Sequence, residues 1–172
     1  MEVLRIIRDA DIGAVGSIPA AYRERVAARA VVFDANGEIA LQHMTKQDYH
    51  KLPGGGVEEG ESVEAGLARE LAEEIGCAVG NVRELGLIEE FRGGRGLHQV
   101  SHCFVADVTG EKSAPNPDEG EVAAGAEAVW MGLEDAIRTL EEEGVRVGEY
   151  SAKFTSLRDL TLLREARKIC SG

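Results

Sequence analysis

LPGGGVEEGESVEAGLARELAEEIGC, residues 52–77, joins a glycine-rich loop to a strongly patterned helix. Ser62 is a suitable N-cap, and Gly76 suits the left-handed position that follows a helix. Between them an apolar residue recurs every four positions, at Val63, Leu67, Leu71 and Ile75. The pattern predicts a helix from Ser62 to Ile75 that buries one stripe.

A second stripe of this helix is acidic. Glu70 and Glu74 are one turn apart, and Glu73 is three positions from Glu70, so all three carboxylates project to one side. Two such charges about 6 Å apart repel by roughly 3 kcal/mol at an effective dielectric near 20. A divalent cation removes that repulsion, and oxygen-only ligands favour Mg²⁺ or Mn²⁺ over zinc.

The glycines before the helix fit the same chemistry. Gly54, Gly55 and Gly56 have no Cβ, so their backbone can approach a metal and phosphate groups closely. The helix that follows presents its positive dipole end to an anion. Loop and acidic stripe together indicate metal-assisted phosphoryl chemistry, in which a metal-polarised water attacks phosphorus.

The segment resembles the box of the Nudix family, whose pattern is G-x5-E-x7-R-E-U-x-E-E-x-G-U, where U is aliphatic. The matching positions are Gly55, Glu61, Arg69, Glu70, Leu71, Glu73, Glu74 and Gly76. Cys77 occupies the last aliphatic position, where a cysteine packs as a small apolar group. A solvated helix face in an acidic protein would not place the loop, Glu61 and Arg69 at these offsets.

The resemblance implies a Nudix hydrolase with an α+β fold, the α/β/α sandwich with a mixed sheet. It implies metal ligation by Glu70, Glu73, Glu74 and the Gly54 carbonyl, with Mg²⁺ or Mn²⁺ as the cofactor. It further implies that Glu61 pairs with Arg69 and thereby orients the catalytic carboxylate. Glu61, Arg69 and Glu70 are therefore candidate catalytic residues.

The general base varies within the family, so the alternatives stay open. It is Glu70 of the box or a glutamate from a later loop, of which Glu121 is favoured over Glu119 and Glu127. Glu58 and Glu59 are expected to face a second metal or simply water.

For phosphate or substrate binding the candidates are Gly55, Gly56, Glu58 and Arg92. His98 and His102 lie at or in a strand and have no matching partners in the sequence, so they are not assigned to the site.

Outside the box, the pattern predicts strands and two more helices. The expected strands cover residues 26–33, 39–44, 85–91, 100–108 and 128–131, and the helices cover 134–143 and 151–169. Asn36-Gly37 predicts a hairpin between the first two strands. Residues 112–125, rich in Pro, Asp, Glu and Gly, predict a mobile loop. The chain is expected to form a single domain, 1–172, with its core at about 25–145 and a C-terminal helix at 151–169.

Composition narrows the classes of partner. The formal net charge of −12 argues against binding a nucleic acid polymer. No signal peptide or membrane helix is expected, which predicts a cytoplasmic protein.

The three cysteines are Cys77, Cys103 and Cys170. Their number is odd and their spacing is not that of a metal site, so all three are expected to be reduced and structural.

The leading functional hypothesis is hydrolysis of a phosphoanhydride bond in a nucleoside di- or triphosphate, or in a nucleoside diphosphate linked to another moiety. The alternative is a Nudix-like domain that binds a nucleotide as a sensor without turnover. No proline lies between Pro53 and Pro115 and no tyrosine between Tyr49 and Tyr150, and residues 42–52 lack the arginine pattern of coenzyme A members. The marks of these substrate subfamilies are therefore missing, which leaves MutT-like cleavage or an uncharted subgroup. The partner is a small nucleotide-type molecule, and a homodimer is compatible with the sequence.

Overall fold

The computed structural model describes residues 1–16 and 18–170. Its strands are β1 (Val3–Arg8), β2 (Arg23–Phe33), β3 (Glu38–Met44), β4 (Tyr49–Lys51), β5 (Ala78–Arg92), β6 (Leu97–Thr109) and β7 (Ala126–Gly132). Its helices are α1 (Val63–Ile75), α2 (Glu119–Ala124), α3 (Leu133–Arg146) and α4 (Tyr150–Cys170). Short 3₁₀ turns follow β1 and β5.

The strands form one mixed sheet in the order β1-β5-β6-β2-β3-β4, with β7 also paired to β3. β2 runs parallel to β6, whereas β5 and β6 form a long antiparallel hairpin. Helix α1 covers one face, and α3 and α4 cover the other, so the apolar core lies in two layers. This arrangement confirms the predicted α+β class and the α/β/α sandwich.

The sheet opens between β2 and β3. The two strands form the predicted hairpin, with Gly37 at φ 77°, but pair only at Phe33 and Ile39 before they diverge. The chain that leaves β4 takes the vacated edge of β2: Ala28 donates to the Gly55 carbonyl at 2.9 Å, and Val57 donates to the Val26 carbonyl at 3.0 Å. The glycine loop is therefore seated directly on the sheet.

Side-chain alternation along β2 separates the two layers. Ala28, Ala30 and Val32 face α1, whereas Val31 faces α3 and α4. Alanine at two of these positions leaves room for the box helix to lie close to the sheet. All three cysteines are free; Cys77 and Cys103 are buried, whereas Cys170 is exposed, so burial supports a structural role only for the first two. Burial raises the pKa of the Cys103 thiol to about 12.

The structure differs from the prediction at residues 112–125 and contains strands that were not predicted. Residues 112–125 are not all loop, because Asp118 caps the short helix α2 by accepting a hydrogen bond from the Glu121 amide at 2.7 Å. β1 and β4 were not predicted from the sequence. β5 begins seven residues earlier than predicted, at Ala78.

Candidate active site

Helix α1 holds the helical residues of the Nudix box in position. The Ser62 hydroxyl accepts from the Ala65 amide at 3.1 Å, and Gly76 ends the helix at φ 64°. Leu67, Leu71 and Ile75 are buried against the sheet, as their spacing predicted. The helix is thus fixed at both ends and along its apolar side, and its acidic side lies toward the glycine loop.

Two glycines of the loop have no room for a side chain. Gly54 has φ 122°, and a Cβ built on it would lie 2.2 Å from the Ala28 carbonyl oxygen. A Cβ on Gly55 would lie 2.4 Å from the carboxylate atoms of Glu70. The contact with the backbone of β2 therefore requires glycine at position 54, whereas a side chain at position 55 would displace the carboxylate of Glu70.

Arg69 binds three carboxylates of the box. Its Nε and Nη2 donate to the two oxygens of Glu61, each at 3.1 Å. Nη1 donates to Glu70 at 2.8 Å and lies 3.4 Å from Glu73, while Nη2 also donates to the Gly56 carbonyl at 3.0 Å. The bond from Arg69, followed by the bond from the Glu58 amide, lowers the pKa of Glu61. The predicted pair of Glu61 and Arg69 is present, and it ties the loop to the helix.

Glu74 is buried beneath the loop, with a relative exposure of 3%. It accepts a hydrogen bond from the Gly54 amide, and Lys51 Nζ lies 3.5 Å from its other oxygen. Burial, and then a hydrogen bond with Glu121, raise the pKa of Glu74 to about 8, although Lys51 acts in the opposite direction. Glu74 therefore carries a proton at neutral pH unless more positive charge is supplied.

Helix α2 brings Glu121 to the box, as the sequence-based hypothesis required. Glu121 accepts a hydrogen bond from Gln42 at 3.1 Å and lies 3.8 Å from Lys51 Nζ. Burial would raise its pKa, but hydrogen bonds from Glu74 and Gln42 hold that pKa below the ordinary value. The competing candidates, Glu119 and Glu127, are exposed.

The site's charges and donors fit a divalent cation. In residues 1–16 and 18–170, no three acidic, histidine or cysteine side chains already converge as ligands of one ion. Arg69 and Lys51 instead compensate the carboxylates that would bind it. The donors are carboxylate and amide oxygens, and one of them, Gln42 Oε1, is buried without a partner. Such an oxygen set suits Mg²⁺ or Mn²⁺.

The surroundings of Glu58, Arg92 and His98 differ from those of the box carboxylates. The Glu58 side chain is exposed, and the Glu58 amide donates to Glu61 at 3.0 Å. Arg92 is buried on the α4 face, where it donates to Glu90 at 2.7 Å and stacks on Phe154. His98, which the sequence left without a partner, lies 2.7 Å from Glu24 and 3.2 Å from Glu89.

Sequence reasoning did not identify Lys51, Gln42 or Arg29. Lys51 and Gln42 are register partners on β4 and β3, a relationship that depends on strand pairing. Arg29 interrupts the apolar run of β2, where a charged residue is unusual. That interruption was the available indication of a polar site below the loop.

Comparison with known proteins agrees with this geometry. The model of the NUDIX domain matches residues 23–153, so the chain belongs to the Nudix hydrolase family. Among solved structures, it resembles a MutT Nudix hydrolase from Burkholderia pseudomallei, with 26% identity and a TM-score of 0.51, over 65% of this chain and 85% of that one.

A second resemblance is to a structure from work on MutT of Aliivibrio salmonicida and Vibrio cholerae. It has 22% identity and a TM-score of 0.49, over 66% of this chain and 83% of that one. No curated protein sequence matches significantly. None of the described helices has the length and apolarity needed to cross a membrane.

Proposed function

We propose that this protein hydrolyses a phosphoanhydride bond in a nucleoside di- or triphosphate, or in a nucleoside diphosphate linked to another moiety. The proposal rests on the hydrogen bond between the side chains of Glu121 and Glu74 beneath Gly54. Glu121 lies outside the Nudix box, so this hydrogen bond adds a fourth carboxylate to the three glutamates that the box helix provides. The products would be a nucleoside monophosphate and pyrophosphate or a phosphorylated moiety.

Glu70, Glu73, Glu74 and the Gly54 carbonyl would hold Mg²⁺ or Mn²⁺. Once bound, the cation would neutralise charge on the phosphate oxygens and lower the pKa of a coordinated water. Arg69 bonds to both oxygens of Glu61 and also contacts Glu70 and Glu73, so it orients the carboxylates that would hold the cation. Glu61 and Arg69 act as positioning residues in this scheme.

Glu121 and Glu70 are the two candidates for the base that accepts a proton from the attacking water. The lowered pKa of Glu121 keeps it ionised at neutral pH, and Gln42 fixes its orientation. Glu70 is held against Gly55 by close packing and by Arg69. Either carboxylate can accept a proton when the water lies within hydrogen-bond reach.

The physiological partner in this proposal is a small nucleotide-type molecule in the cytoplasm. A polymeric nucleic acid is disfavoured by the net charge of −12, because sequence-independent binding depends on clustered surface cations. Within the site, positive charge is local and is supplied by Lys51, Arg69 and buried arginines.

The test is a product assay on nucleoside triphosphates, oxidised nucleotides and sugar nucleotides, each with Mg²⁺, with Mn²⁺ and with excess chelator. We expect monophosphate release with a metal and none with chelator. Undiminished turnover in chelator would refute metal dependence. Tight nucleotide binding without product from any substrate would establish a sensor instead of an enzyme.

A further inference from the structure

Four arginines lie on the side of the sheet that α4 covers. Arg25 and Arg29 belong to β2, Arg92 to β5 and Arg158 to α4. Relative exposures are 7% for Arg29, 8% for Arg92 and 1% for Arg158. Arg25 is exposed. Three buried arginines on one face of the sheet are unusual in a protein whose formal net charge is −12.

Two buried carboxylates on this side already have cationic partners. Glu90 accepts from Arg92 at 2.7 Å and lies 3.6 Å from Arg158. Asp159 accepts from Arg158 at 2.7 Å. The two carboxylates therefore pair directly with Arg92 and Arg158, and neither of them forms an ion pair with Arg25 or Arg29.

Arg29 has the least compensation. Its Nε and Nη1 are buried without a hydrogen-bond partner, and no carboxylate oxygen of the described residues lies within 4.0 Å of its guanidinium. Burial, followed by the field of Arg158, lowers its pKa to about 10, so it is still charged at neutral pH. A buried charge without a partner opposes folding, and its presence calls for a compensating ligand.

Arg29 and Arg25 flank the glycine loop. The Arg29 Cα would lie 3.0 Å from a Cβ on Gly54, and Arg25 Nη2 would lie 3.0 Å from a Cβ on Gly56. Arg25 also donates to Gln99 at 3.1 Å, which fixes the direction of its side chain. Their Cα atoms are four residues apart on one strand, about 13 Å, a span that two long side chains can share with a phosphorylated ligand.

The same two arginines lie beside the candidate metal ligands. Glu74 contributes to the electrostatic surroundings of Arg29, and Glu70 to those of Arg25. An anion between the arginines and the loop would therefore face the carboxylate cluster across the glycines. Arginine suits this role because its planar donors match the oxygens of a phosphate group.

We propose that Arg29 and Arg25 bind a phosphate-type anion on the α4 side of the Gly54–Gly56 loop. The anion is a phosphate group of the substrate or of the leaving product, an assignment that rests on the proposed hydrolase function. Binding itself depends on the arginines and needs no metal. The site supplies the local positive charge that a polyanionic substrate requires in this acidic protein.

The experiment measures binding of inorganic phosphate, pyrophosphate and a nucleoside monophosphate in excess chelator, by calorimetry and by melting temperature. The variants are Arg29→Met, Arg25→Met and the control Arg83→Met, which removes an exposed arginine of β5. We expect the wild type to bind at least one of the three anions and to melt at a higher temperature when it is present.

Arg29→Met should weaken that anion's binding at least tenfold and raise the melting temperature of the anion-free protein, because an uncompensated buried charge is removed. Arg25→Met should weaken binding as well, and Arg83→Met should match the wild type in both measurements. A purely structural arginine would instead leave anion binding unchanged on replacement. If Arg29→Met does not fold, Arg29→Lys is measured, and it should bind the anion less tightly than the wild type because the planar fork is lost.

Two outcomes overturn the inference: a wild type that binds none of the three anions, or Arg29 variants that bind the preferred anion with wild-type affinity. Preference for pyrophosphate or inorganic phosphate identifies the leaving group as the bound moiety, whereas preference for the monophosphate identifies the nucleotide side. Turnover with Mg²⁺ is assayed on the same proteins. Anion binding without turnover would refute the proposed hydrolase function but not this anion site. Turnover and anion affinity in Arg29→Met equal to those of the wild type would refute the anion site but not the hydrolase function.

Discussion

The carboxyl groups of Glu74 and Glu121 share a hydrogen bond, although one belongs to α1 and the other to α2. Lys51 lies within 4 Å of both, at 3.5 Å from Glu74 and 3.8 Å from Glu121. Because Glu74 is the more deeply buried of the two, the shared proton resides on Glu74 and the negative charge on Glu121. Added positive charge at this point would release that proton.

The proton on Glu74 predicts how stability depends on pH in chelator. Its folded pKa of about 8 lies above the ordinary value of 4.5, so the protonated form stabilises the fold fully below about pH 4.5. That contribution is lost as pH rises toward 8. Glu74→Gln should flatten this decline and be more stable than the wild type at pH 8 by on the order of a few kcal/mol. Melting curves from pH 5 to 8 test it, and parallel profiles for the two proteins would contradict it.

Replacing a ligand of the proposed metal should abolish catalysis without unfolding the protein. Glu73→Gln and Glu74→Gln each remove one ligand charge, so we expect turnover with Mg²⁺ to fall by several orders of magnitude. Glu64→Gln is the matched control, because Glu64 lies on the same helix but is exposed in its first turn. Steady-state rates at saturating Mg²⁺ decide the matter. Wild-type rates in both ligand variants would show that the ligands were assigned wrongly.

Arg69→Ala should reduce turnover by roughly 10- to 100-fold, the usual effect of losing a residue that orients metal ligands. Its side chain is 27% exposed, so the loss of stability should stay within about 2 kcal/mol. Arg69→Lys should restore little activity, because an ammonium cannot replace the paired bonds to Glu61. Rates and unfolding curves are measured together. A strongly destabilised Arg69→Ala with normal activity per folded molecule would identify a structural residue.

Gly54→Ala and Gly60→Ala separate backbone strain from steric contact in the same loop. Both glycines have positive φ, 122° and 81°, but a Cβ on Gly60 would meet nothing within 4 Å. We expect Gly60→Ala to cost about 1–2 kcal/mol and to remain active. Gly54→Ala should cost more and lose activity, since its Cβ would displace the loop from Ala28. If the two variants lost the same free energy of unfolding in chemical denaturation and had the same turnover rates, the contact of Gly54 with β2 would be unimportant.

Local patterns predicted the box helix well, because its limits depend on residues that act locally. Ser62 and Gly76 do cap α1, and the apolar stripe is buried. β1 was missed because its single fully buried residue, Ile7, gives no clear alternation. β5 was shortened in the prediction because Gly80 and Asn81 interrupt the strand pattern between Val79 and Val82, and the extended conformation there depends on pairing with β6.

The candidate site was predictable only where it is continuous in sequence. The contact of Arg69 with Glu61 lies within the box, and the resemblance to the family implied it. Lys51 and Arg29 come to the site through strand pairing and the seating of the loop on β2, which no local pattern encodes. Glu121 was named from its chemistry, and α2, which positions it, was not foreseen.

The seating of residues 53–57 along β2 also bears on self-association. An open strand edge presents unpaired amide and carbonyl groups to which another chain can add. After β3 turns away, the stretch Val26–Val32, apolar except for Arg29, would offer such an edge, but Pro53, Gly55 and Val57 bond to it instead. The loop that carries the phosphate chemistry is thus also a protective cover, and changes that loosen it would expose an aggregation-prone strand along with impairing the active site.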